Sequence, residues 1–134
     1  MPYQYNHGLV TPMKGAAIQA ARIVDLDSAT CTIAEQSAAG FLSSVTIAAG
    51  LITVTVNGPR PPRLVACIPT YSTSATTDDI ITARYVEDSW DADAGTFQIA
   101  LSDDDDAGAP IAGAPASPTE ELHLVMVFCR YTVL

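Results

Sequence analysis

Several stretches of this chain alternate apolar and polar side chains with a period of two, and that alternation constrains the fold more than any other feature. In LITVTV (51–56), Ile52, Val54 and Val56 share one face while Thr53 and Thr55 share the other. In TFQIAL (96–101), Phe97, Ile99 and Leu101 take one side, with Thr96 and Gln98 opposite. Successive Cβ atoms of a strand point to opposite faces, and branched side chains restrict χ1 in a way that suits a pleated surface, so both segments predict half-buried strands. The closing run ELHLVMVFCRYTV is different. Leu122, Leu124, Met126 and Phe128 lie on one side, and Val125, Val127 and Cys129 lie with His123 on the other. Two apolar faces predict a strand covered on both sides, either at the centre of a sheet or with its second face packed on a neighbouring subunit.

The intervening segments fit the same pattern. FLSSVTIA (41–48) alternates around Val45 and Ile47, and Ala49-Gly50 supplies a turn into LITVTV. Asn57-Gly58 is a turn signal because both residues tolerate positive φ. Pro59, Pro61 and Pro62 then impose an extended crossing outside any ladder. RLVACI (63–68) reads as a strand closed by Pro69, followed by a Ser/Thr-rich loop over 70–77. IITARYV (80–86) resumes alternation, and 87–95 forms an acidic connection. Residues 102–119, with four consecutive aspartates, three prolines and two glycines, are expected to form no core. CTIAEQ (31–36) reads as a short strand and Ser37–Gly40 as a turn. AAIQAARIV (16–24) is either a short helix or a strand, since its alanines favour helix but nine residues make a marginal one. Short strands separated by proline-bearing connections predict an all-β fold, an antiparallel, jelly-roll-like β-sandwich. One domain then spans 16–134. The opening MPYQYNHGLVTPMKG (1–15) reads as an extended N-terminal arm, with Tyr3, Tyr5, Leu9, Val10 and Met13 suited to docking on a partner.

Composition narrows the function. With 49% hydrophobic and 16% charged residues among 134, the chain can build a core and is not a disordered polymer. A net charge of −9 opposes capture of nucleic acid or anionic lipid, so neither nucleic acid nor membrane is expected as a partner. The longest apolar run, Leu124–Cys129, falls far short of a bilayer span, and the first thirty residues show no secretory pattern. The charge is uneven. Residues 1–64 hold four bases and three acids (+1), whereas 65–134 hold two bases and twelve acids (−10). Cys31, Cys67 and Cys129 have no metal-ligand spacing, and Cys67 and Cys129, which fall inside apolar runs, read as small buried hydrophobes in a reduced compartment. A Cys67–Cys129 disulfide across adjacent strands stays open until geometry decides it.

Catalytic constellations find no support. There is no Gly-x-Ser-x-Gly elbow, and the single lysine, Lys14, sits in no phosphate loop. His7 falls in the arm, and His123 reads as a partly buried or interface histidine ahead of a ligand. Asp91-Ala-Asp93-Ala-Gly95 departs from a calcium loop where the glycine and the bidentate glutamate are required, so it reads as a hairpin turn with Asx hydrogen bonds. Asp103–Asp106 read as solvated acids ahead of a cation site, because adjacent side chains of an extended segment diverge. Trp90 is expected to pack over one end of the sandwich. No catalytic residue, metal ligand or cofactor is expected. Arg60 and Arg63 form the one locally basic spot. Charged residues on a crossing loop are the favoured description, ahead of a grip on a partner's carboxylates.

The succession LITVTVNG, a proline-arginine crossing, RLVACIPTYS, IITARYV, TFQIAL, an acidic loop and LHLVMVF resembles the small β-sandwich capsid decoration (cement) proteins of tailed bacteriophages. The closing strand and TFQIAL are also similar to tumour-necrosis-factor-like trimeric sandwiches. The resemblance implies a structural virion protein, not an enzyme. It would assemble in the host bacterial cytoplasm as a homo-oligomer, trimer favoured over dimer. It would then sit on the outer face of the capsid and clamp neighbouring subunits of the major capsid protein. Partner contact is then expected at Tyr3, Tyr5, Leu9, Met13, Arg60 and Arg63. The alternative is a fibre-tip or receptor-binding sandwich in which Tyr85, Trp90 and the acidic loop meet a cell-surface glycan.

Overall fold

The computed structural model describes residues 16–58, 63–73, 81–103, 109–110 and 120–129. In chain order they form β1 (Ala16–Val24), β2 (Thr32–Gln36), β3 (Leu42–Ala48), β4 (Leu51–Val56) and β5 (Arg63–Thr73). β6 (Ile81–Tyr85), β7 (Thr96–Asp103), β8 (Ala109–Pro110) and β9 (Glu120–Cys129) follow. One sheet has the order β2-β1-β9-β5, and the other β3-β4-β7-β6, with β8 pairing β7. Every pairing is antiparallel. The first strand lies beside the last, and the chain changes sheet after β2, β4, β5 and β8. This winding is jelly-roll-like, and the expected all-β sandwich is the observed fold class. The arm expected at 1–15 lies outside the described residues.

Residues 16–24 are a strand throughout. Alanine's helix preference is worth a fraction of a kcal/mol per residue, and eight register pairs with β9, from Ala16↔Cys129 to Ile23↔Leu122, outweigh it. β5 does not stop at Pro69. It runs on through Thr70 to Thr73, so the segment expected as the start of a loop is strand instead. β5 is the edge of its sheet, where alternate amides face away from the neighbouring strand and a missing N–H is tolerated. Residues 102–119 were expected to contribute no core, yet Ser102 and Asp103 lengthen β7, Ser102 is buried, and Ala109-Pro110 pair with β7. Asn57-Gly58 does not form a positive-φ turn either. Asn57 ends β4 by donating its amide N–H to the Phe41 carbonyl (2.8 Å) and its side-chain Nδ2 to the Gly40 carbonyl (3.2 Å). Ala49-Gly50 does make the expected tight turn, with φ of 50° and 72° between the paired Ala48 and Leu51.

The core lies between the inner faces. Ile52, Val54, Phe97, Ile99 and Leu101 from one sheet meet Ile23, Leu122, Leu124, Met126 and Phe128 from the other, all at most 1% exposed. Leu26 joins them from the β1–β2 connection, which also laces one flank shut. Cys31 N–H donates to the Val45 carbonyl, Ile47 N–H to the Ala29 carbonyl (both 2.9 Å), and Thr30 bridges to Thr46. The β3 edge is therefore partly covered. Trp90 closes one end as expected. Its ring packs edge-on against Phe128 at 5.6 Å and tilted against Phe97 at 6.4 Å, while Phe41 meets Phe128 from another side at 5.4 Å. Phe128 thus joins both sheets and the end plug. Phe128→Ala is expected to cost about 3–5 kcal/mol of unfolding free energy, read from urea denaturation by the fluorescence of the single tryptophan.

Candidate interaction surface

β9 is central in its sheet, as one of the two sequence readings required, but among the described residues nothing covers its outer face from His123 to Val127. Val125 is 41% exposed, and His123 and Val127 are half-buried. Register places Ala20, Val125 and Ile68 in one cross-strand row, and Ile18, Val127 and Ala66 in the next. Ile68 is 62% exposed, Ile18 43% and Val65 39%. Val65 stands beside a register irregularity between Leu64 and Ala66, where β5 carries one residue more than β9. Six neighbouring positions on three strands therefore present apolar side chains to solvent. Patches of this kind on a small domain mark contact surfaces.

The next row is polar. Arg22 Nη1 donates to Glu121 Oε1 at 2.9 Å, and its Nε lies 3.4 Å from Glu35 Oε2. His123 Nε2 is 3.2 Å from Glu121 Oε2. Glu35 first, and then Glu121, hold the Arg22 guanidinium above its ordinary value. These groups tie β2, β1 and β9 together on the outer face and fence the apolar rows on one side. Beside them Ala20 and Ala21 floor an open groove of about 460 Å³, walled by Arg22, Glu35, Ser37, His123 and Val125. No local pattern pointed to this cluster, because Arg22 and Glu121 are 99 positions apart. Nor did any single out the outer residues of β5. The one available signal was the apolar second face of β9, together with His123 on it.

Of the residues expected to contact a partner, Tyr3, Tyr5, Leu9, Met13 and Arg60 lie outside the described residues. Arg63 is exposed at the start of β5. It lines a second cavity, of about 320 Å³, with Val65, Tyr85, Glu87, Asp88 and Trp90. Asp88 adopts φ 61° in the turn there. The Asp91 turn is the expected Asx turn. Asp91 Oδ1 accepts the Asp93 and Ala94 amides at 2.9 and 3.0 Å, and the Asp91 carbonyl accepts Gly95 N–H at 2.7 Å. Its carboxylate is occupied by backbone amides, as a turn requires. Among the described residues no three His, Cys, Asp or Glu side chains are grouped to hold a metal ion, and no helix is long and apolar enough to cross a membrane. Glu120 is buried near Tyr71. Burial first, and then the Glu120 carboxylate, push the Tyr71 phenol well above its ordinary range.

The three cysteines are free, which closes the disulfide question. Cys67 aligns with Met126, three positions from Cys129, which aligns with Arg63. Strand alternation therefore sends the two sulfurs to opposite faces of the sheet. Burial raises the Cys67 thiol to about 12. Burial, then Asp25 and Asp27, raise Cys31 to about 11. Relative to an unperturbed thiol at 9.0, the thiolate at pH 8 is about a hundredfold scarcer at Cys31 and about a thousandfold scarcer at Cys67. Both thiols should alkylate far more slowly in the native protein than in urea, as followed by mass spectrometry at pH 8. Because both folded values lie above the unfolded one, their contribution to stability is complete below about pH 9. It is lost as pH rises toward 11 and 12, so the urea midpoint should fall across that window. No family model matches this chain, and no curated protein or solved structure matches it either.

Proposed function

We propose that this chain is a structural virion protein of the capsid decoration kind. It would oligomerise and tie neighbouring subunits of a major capsid protein together on the outside of the shell. The observation that supports this most is the bare apolar face on β1, β9 and β5 of a sandwich whose own core is already closed. Leaving large aliphatic side chains in water forgoes about 25 cal/mol for each Å² that could be buried, and contact with another protein recovers it. Such a clamp works without a nucleophile or cofactor. It needs a stiff scaffold, and two sheets locked through Phe97, Phe128 and Trp90 provide one. It also gains from repetition, because many modest contacts on one lattice add through effective concentration. The acid-rich C-terminal half would keep the protein soluble.

The second cavity favours a second reading, a fibre-tip sandwich that binds a cell-surface glycan. Tyr85 and Trp90 lie there beside Arg63, Glu87 and Asp88, a mixture of aromatic faces and polar groups that suits a sugar. The rings of Trp90, Phe97 and Phe128 are packed on one another, however, so much of the Trp90 surface is already spent on the end plug.

Mixing the purified protein with assembled, expanded shells and sedimenting the shells tests the first reading. The protein should pellet with shells and stay in the supernatant with unassembled capsid subunits. Recovery wholly in the supernatant in both cases overturns it. Binding of the isolated protein to whole host cells, lost in Trp90→Ala, would support the glycan reading in its place.

A further inference from the structure

The outer face of β1, β9 and β5 carries a size pattern as well as apolar character. In the row centred on Val125, the β1 position is small (Ala20) and the β5 position is large (Ile68). In the row centred on Val127 the order is reversed, with Ile18 on β1 and Ala66 on β5. A two-fold axis running along β9 in the plane of contact lays β5 of one copy over β1 of the other and keeps each row on itself. Both large residues then fall on small ones, and both small ones receive large ones. A surface patterned at random has no reason to satisfy all four positions at once. A heterologous contact would match this face to a different one and leave the pattern without a use.

We infer that a second copy of this chain seats face to face on the outer surface of β1, β9 and β5, with Ile68 of each copy in the groove over Ala20 of the other. This rests on the oligomeric part of the function proposed above and names the partner and the contact. The groove over Ala20 and Ala21 holds about 460 Å³, room for an isoleucine side chain. The matched positions lie within roughly 6 Å of the axis centre, so the usual crossing of about 30° between packed sheets displaces them by only roughly 3 Å. The three strands that this axis superposes, about 4.8 Å apart and over eight residues at about 3.4 Å, give roughly 400 Å² per copy and about 800 Å² in all, the range of a weak, transient interface. The pair is therefore a dissociable one.

Charge points the same way. The two rows contain no ionisable side chain, while each copy carries −9, so the copies repel at long range and attract only on contact. Screening removes the repulsion and leaves the apolar contact. A contact held by ion pairs would weaken with salt; this one strengthens.

Sedimentation equilibrium of the full chain over a wide concentration range tests the inference. Wild type should approach twice its 14.0 kDa mass as concentration rises, and more readily at high salt. Ala20→Ile fills the groove and Ile68→Ala removes the knob, so each alone should weaken pairing by about tenfold or more. The double variant Ala20→Ile/Ile68→Ala exchanges large and small within the row and should restore pairing to within about threefold of wild type. Urea midpoints and circular dichroism of each variant show that it is folded. A monomer at every concentration, for instance with residues 1–15 of the same chain covering the face, overturns the inference. So does a three-copy assembly, a mass that falls with salt, or a double variant no better than the singles. Failure to sediment with shells by a protein that pairs as described would remove the capsid role and leave this contact standing.

Discussion

The hydrogen-bonding of β9 on both of its edges is the constraint on which the rest of the molecule depends. Eight positions of β1 and ten of β5 align with it, so the last described strand joins the first to the middle of the chain. Without β9, β1 and β5 would have no common neighbour, and four fully or nearly fully buried side chains, Leu122, Leu124, Met126 and Phe128, would leave the core. Pairings across such long stretches of sequence are entropically costly to close. They are repaid by a strand whose inward side is apolar from Leu122 to Phe128 and whose neighbours on both sides are committed to it.

The two faces of this sheet then have different chemistry for a physical reason. The inner face meets a second sheet and loses its water. The outer face from His123 to Val127 meets nothing within the described residues, yet two of its rows remain aliphatic, and the rows beyond carry Arg22 with His123 and then Glu121, in mutual contact. A small antiparallel sandwich ordinarily alternates polar with apolar so that its outside is wetted. Here the alternation lapses over β1, β9 and β5, whereas on β4 the residues opposite the core positions are Leu51, Thr53 and Thr55, at half-buried sites. The contrast localises the unusual surface to one sheet, and that localisation is the basis for reading it as a contact.

Most of the strands were legible because period-two alternation is a local signal. Val54 and Phe97 could be assigned inward from their immediate neighbours alone, and both are fully buried. Segments whose state is settled elsewhere in the chain were less so. Residues 16–24 have alanines that suit either state, and the choice was made by the ladder on β9. Pro69 looked like a terminator because a proline's missing N–H matters in a central strand, and nothing local said that β5 is an edge. Asn57-Gly58 looked like a hairpin turn, but the chain leaves the sheet there, and Asn57 is held by Phe41 and Gly40 instead. On the surface, β9's second apolar face pointed to a contact, but its companions Ile18 and Ile68 are remote from it in sequence.

The order of residues by itself determined that this protein is built of strands, which side of several of them turns inward, and that its excess charge is negative and lies in the C-terminal half. These follow from side-chain alternation and from counting, and neither needs a partner strand. Only the tertiary structure decided the sheet order, the separation of Cys67 from Cys129 to opposite faces, the Arg22–Glu121 pair and the alternating large and small rows. Each of those depends on which strand lies beside which and in what register. A one-residue slip in that register would turn every side chain of the strand to the other face.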